Sequence, residues 1–187
     1  MTAQNIALIV GILLILIAFS FFIGIYNKLV MLKNNVEKAF MNIDVILMQR
    51  AEEIPELVKI TSRFMNHEEA MLTKLTQLRT AFLNSSGIDE KIENASALSK
   101  ATKSLFAVSE NYPELKSNAN FLELQKRISQ MEDKIADRRE YYNDSINLYN
   151  IGIEEFPNVI LAGILGYRQR ALFQVLPEEK EYHGVQF

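Results

Sequence analysis

Cysteine is missing from all 187 residues. Its absence removes disulfides, thiolate zinc sites and cysteine nucleophiles together. Tryptophan is missing too, and there are only four prolines and seven glycines. So few breakers exclude a turn-rich β fold and point to long helices. A basic excess is also lacking. The formal net charge is −3, whereas a dedicated nucleic-acid binder carries a basic stripe or patch. Neither histidine, His67 or His183, has a glutamate three residues before it, so the Glu-x-x-His pairs of a bundle-held di-metal centre are absent. There is no HExxH, no GxxxxGK[ST] and no GxGxxG. The serines fall mostly on helical faces, where they are usually solvated, and a bundle offers few loops to shape a cleft. The reading is therefore no catalytic residues, no metal, no cofactor and no enzyme.

What the chain does have is a long apolar stripe. Phe121, Leu124, Ile128, Met131 and Ile135 continue as Tyr142, Ile146, Tyr149, Ile153 and Phe156, in steps of three and four. That is the coiled-coil-like seam of one long helix, predicted over 118–156. Only Arg138 interrupts it, and an arginine stem can lie on apolar surface with its head in water. A helix with one apolar stripe is not stable alone, so the rest of the chain must supply partners.

Ile6 to Ile25 is the other dominant feature, twenty residues without a charge. Twenty helical residues cross about 30 Å of hydrocarbon. A cleaved signal peptide would have a basic leader, a shorter core and small residues at its end. No Lys or Arg precedes Ile6, and the run ends in bulky Phe22-Ile23-Gly24-Ile25, so it reads as an uncleaved anchor. Lys28, Lys33 and Lys38 follow it, with only Glu37 against them. The positive-inside rule then puts the short N-terminus outside and the domain in the cytoplasm of a bacterial inner membrane.

The remaining helices follow in order. Leu29, Leu32, Val36, Phe40, Ile43 and Leu47 predict a helix over about 26–50. Pro55 predicts a break near Arg50 to Ile54 and a second helix over 55–84. The stripe stays nearly in phase across the proline, so one kinked rod is the alternative. His67 and Glu68 fall where the seam skips a beat. Asn84-Ser-Ser-Gly87 closes that helix. A weaker helix over 89–111, rich in Ser and Ala, is expected to be less buried. Tyr112-Pro113 ends it, and Asn120 with Glu123 suggests a capping box for the long helix. A short terminal helix within 158–187 is expected to pack on the bundle end, with lying in the membrane interface as the alternative, and the tail from Pro177 is charged. Glu132, Asp133, Asp137, Arg138, Arg139 and Glu140 read as a solvated charged face.

Several blocks together resemble the LemA family. They are Arg50-Ala-Glu-Glu-Ile-Pro55, His67-Glu68, Tyr112-Pro113 through Asn118 to Phe121, Leu124-Gln125, Tyr142-Asn143, Tyr149-Asn150 and Phe156-Pro157. They occur in the family's order and spacing from Tyr26 to about Phe173, and Phe40 stands where relatives often have tryptophan. The resemblance implies an all-α fold, with an N-terminal membrane helix followed by an antiparallel, up-and-down four-helix bundle over 26–157. It implies no established enzymatic activity and a link to membrane organisation.

The expectation is thus a non-enzymatic, membrane-anchored helical scaffold. Its partners would be the lipid bilayer, other proteins and further copies of itself, with no nucleic acid. The alternative is a membrane-proximal ligand sensor with a polar pocket around Tyr142, Asn143, His67 and Glu68. Against that pocket, the tyrosines of Tyr142-Asn143 and Tyr149-Asn150 read as seam residues, and their asparagines as register devices.

Overall fold

The computed structural model describes residues 3–173. These residues form six helices, α1 (Ala3–Thr61), α2 (Glu69–Asn84), α3 (Ile88–Ser109), α4 (Pro113–Lys116), α5 (Ala119–Glu154) and α6 (Asn158–Ile164). No strand occurs among the described residues. They divide into two compact units, residues 3–39 with 142–172, and residues 40–141 with Phe173. The tail from Pro177 lies outside the described residues.

The first unit begins with the apolar run. It lies wholly within α1, and its large side chains from Ile6 to Ile23 are exposed. Among the described residues α1 is the one helix long and apolar enough to cross a membrane. Past the run, Leu29, Val36 and Ala39 of α1 are buried, as are Tyr142, Ile146, Tyr149 and Ile153 of α5. Gly152 lets the two helices approach, because a methyl group there would collide with the Leu32 side chain.

In this unit α5 ends at Glu154, short of the predicted 156. The Asn158 side chain donates to the Gly152 carbonyl at 2.9 Å and so satisfies an end-of-helix acceptor. The expected terminal helix is only the seven-residue α6. Gly166, at φ +71°, stops it. The Tyr167 N–H then reaches the Ala162 carbonyl at 3.0 Å and the Gly166 N–H reaches the Gly163 carbonyl at 3.2 Å, a Schellman ending that favours glycine.

The second unit contains the turn of chain that the proline argument misplaced. No break occurs at Arg50 to Ile54. The helix runs through Pro55 to Thr61, and the chain turns at 62–68 instead. Two physical reasons explain this. Ala51, Ile54 and Leu57 are fully buried, so the apolar ridge rewards continuing the helix. In addition, the Ala51 carbonyl, which Pro55 cannot serve, accepts a bond from Arg79 Nε of α2 at 2.8 Å.

α2 and α3 pack on each other across the short 85–87 turn. The expectation that α3 is less buried is corrected here. Ala95, Leu98, Ser99, Thr102, Leu105 and Ser109 are all buried, and their small size permits close approach. The cap of α5 also differs from expectation. Asn118, not Asn120, accepts the Phe121 N–H at 3.1 Å, which places the N-cap one residue before Ala119.

Candidate functional site

The second unit holds an unusual charge. Arg50 is 1% exposed, although it carries a permanent positive charge. It sits on the same ridge as Leu47, Ile54 and Leu57, so the helix carries it into the core. Its Nη1 donates to Glu132 Oε1 of α5 at 2.6 Å, and its Nη2 to the Ala95 carbonyl of α3 at 2.8 Å. Ser99 of α3 donates to the other oxygen of Glu132 at 2.8 Å. Three helices thus meet on one guanidinium–carboxylate pair. Arg50 Nε is buried as well and makes no hydrogen bond.

This network lines a cavity of about 340 Å³. Leu47, Phe106, Ile128, Ile135 and Phe173 supply apolar wall, and Ser96, Thr102, Lys103, Asp133 and Arg139 supply polar groups. The Arg139 guanidinium stands 5.8 Å from the centre of the Phe173 ring, within cation–π range. The space suits a small ligand with an apolar body and a polar end.

The expectation that Glu132 belongs to a solvated face is therefore corrected. Arg50 draws it inward, and its side chain is 22% exposed. The sequence signals only that an arginine at a ridge position needs a carboxylate on a neighbouring helix, not which one.

The other motif residues make local contacts within each unit. His67 is exposed, in the turn before α2. Glu68 accepts a bond from the Tyr112 hydroxyl at 3.4 Å. Partial burial and the Glu68 carboxylate both push the Tyr112 phenol above its ordinary value. Pro113 opens α4 at its first position. Phe121 is buried and packs edge-on to Phe106 at 6.1 Å, with Gln125 one turn on and half-buried. Tyr142 and Asn143 belong to the first unit, the former buried and the latter half-buried. His67 and Glu68 lie in the second unit and Tyr142 and Asn143 in the first, and the site whose geometry lies within one unit is the Arg50–Glu132 cavity.

Tyr149 and Asn150 have a clear task within the first unit. The Tyr149 hydroxyl donates to the Arg168 carbonyl at 3.0 Å. Asn150 donates to the Arg170 carbonyl and accepts the Arg170 N–H, both at 2.9 Å. The pair thereby clamps residues 168–170 onto α5. Phe156, expected in the seam, is instead 81% exposed, and its bond to Pro157 is cis. Among the described residues no three His, Asp or Glu side chains are placed to hold a metal ion. His183 lies outside the described residues.

Among the described residues, an all-helical fold with one candidate membrane span and a buried Arg–Glu network is the class these observations define. The pattern of the LemA family matches residues 39–187, and the chain belongs to that family. It is 27% identical over 178 positions to magnetosome protein MamQ 2 of Paramagnetospirillum magneticum, covering 81% of this chain and 65% of the relative. Against magnetosome protein MamQ of Magnetospirillum gryphiswaldense the identity is 23%, over the same shares. Against protein LemA of Metamycoplasma hominis it is 26% over 161 positions, covering 85% of this chain and 73% of the relative. The chain thus spans about two-thirds of the length of the magnetosome relatives.

Proposed function

We propose that the chain is a non-enzymatic, membrane-anchored helical scaffold that acts by binding protein partners, other copies of itself among them. In this reading its helices form an antiparallel four-helix bundle of the up-and-down kind. The observation that carries the proposal is α1. Within one unit, one helix holds both the apolar run from Ile6 to Ile25 and the buried ridge of Leu29, Val36 and Ala39. A packed helix that is also the anchor ties its own unit to the bilayer without a flexible linker. The kinship with magnetosome proteins supports a role in membrane organisation. Lys28, Lys33 and Lys38 favour an N-terminus outside and a cytoplasmic domain in the inner membrane. Affinity capture of the full chain from mild-detergent membranes, read by mass spectrometry, is expected to recover a defined set of membrane-associated proteins. Recovery of the bait with no enriched partner would overturn the reading.

The Arg50–Glu132 cavity favours a second reading, a module that senses a small amphiphilic ligand near the membrane. Native mass spectrometry of the purified chain would then show a retained small molecule, lost in Thr102→Trp, which fills the cavity. No adduct on the unsubstituted chain, or the same adduct retained in both proteins, would exclude it.

A further inference from the structure

The first unit carries an apolar surface that is exposed among the described residues. Phe156 is 81% exposed, Ile164 75%, and Val159, Ile160 and Leu165 are exposed with them. α6 is held to its own unit by one face only, through buried Asn158 and Ala162. The packing fixes where the other face lies. Lys28, three residues past the end of the apolar run, pairs with Glu155, directly before Phe156. Tyr26 and Tyr149 are close enough to Tyr167 to raise its hydroxyl pKa, after burial as the larger cause, and the Tyr149 and Tyr167 rings are 6.3 Å apart. Arg170 lies 3.6 Å from Glu37 of α1. Residues 155–170 are thus pinned beside residues 26–37 of α1, the segment that leaves the span. From Phe156 to Phe173 there is no acidic residue, and the charges are Arg168 and Arg170.

We propose that α6 and its flanks are a second membrane contact, with Phe156, Ile160 and Ile164 seated in the interface of the same bilayer that α1 crosses. The occupant is lipid, because the patch continues from the span at the level of Tyr26 and Lys28. Interfacial apolar faces of this kind sink about 5–10 Å into the headgroup and acyl boundary. Tyr26 and Tyr167 take the place of interfacial aromatics, and exposed Arg168 is the cation available to anionic headgroups, Arg170 being engaged by Glu37. This inference rests on the membrane-anchor part of the proposed function.

The absence of cysteine gives a clean test. Phe156→Cys, Ile160→Cys and Ile164→Cys, each labelled with a polarity-sensitive fluorophore, are studied in the full chain in phosphatidylcholine–phosphatidylglycerol vesicles at low protein density. Leu14→Cys reports the span and Glu123→Cys an exposed position on α5. Iodide quenching at positions 156, 160 and 164 is expected to fall roughly threefold or more below that at 123, and nitroxide placed near the lipid headgroup should quench them more than nitroxide at the chain end. Iodide quenching equal to that at 123 would overturn the inference, as would iodide protection without nitroxide quenching, which marks a protein cover. Iodide access at Leu14 would overturn the anchor, and the inference with it. A protected Leu14 beside a wet Ile160 would sink the inference alone.

Discussion

Arg50 and Glu132 are unequal partners, and the inequality is measurable. Arg50 is 1% exposed and its partner's side chain 22%. Removing the carboxylate strands a buried charge, which costs about 3–5 kcal/mol when burial is complete. Removing the guanidinium leaves a carboxylate that can turn to water and lets an apolar chain fill the space. Glu132→Ala is therefore expected to lower unfolding stability by about 3 kcal/mol, and Arg50→Met by about 1 kcal/mol. Chemical unfolding of the full chain in detergent checks this, and a larger loss for Arg50→Met would contradict it. The cap of α5 gives a second comparison at this scale. Asn118→Ala should cost about 1 kcal/mol and Asn120→Ala much less, because only Asn118 bonds the helix end.

Among the elements, α1 shows how a sequence rule is overridden. Proline frees one carbonyl, and here Arg79 of α2 takes it up. Arg79→Met should leave the buried Ala51 carbonyl unsatisfied and cost about 1–3 kcal/mol. In a Pro55→Ala background the new N–H can serve that carbonyl, so the cost of Arg79→Met should shrink by roughly half or more. Equal costs in both backgrounds, measured by unfolding, would show that the two residues are not coupled. The long elements were legible because their burial is periodic. Phe121, Leu124, Ile128 and Ile135 face inward as their spacing requires. What was not legible depended on partners distant in sequence. The proline break was misplaced because Arg79 is 28 residues from Ala51. The true turn lay where the seam skipped, at His67 and Glu68, since a ridge that loses phase gives a helix no reason to continue. Glu132 was misjudged because its neighbours in sequence are solvated, whereas its partner is 82 residues away. Phe156 fitted the seam by spacing alone, but α5 had already ended at Glu154.

For the molecule as a whole, membership of the LemA family, and a single candidate span among the described residues, agree with what the apolar run and the motif blocks suggested. Partners were beyond reading, because a binding surface needs only an accessible face and leaves no periodic trace in one chain. The central claim is that the anchored protein works in contact with other proteins at the membrane. Brief amine-reactive crosslinking of intact membranes, with the full chain at its natural abundance, tests that claim most directly. The account predicts discrete products larger than the 21.5 kDa chain, containing this chain with itself or with other membrane proteins. Quantitative recovery as monomer under conditions that crosslink a known membrane complex would contradict it.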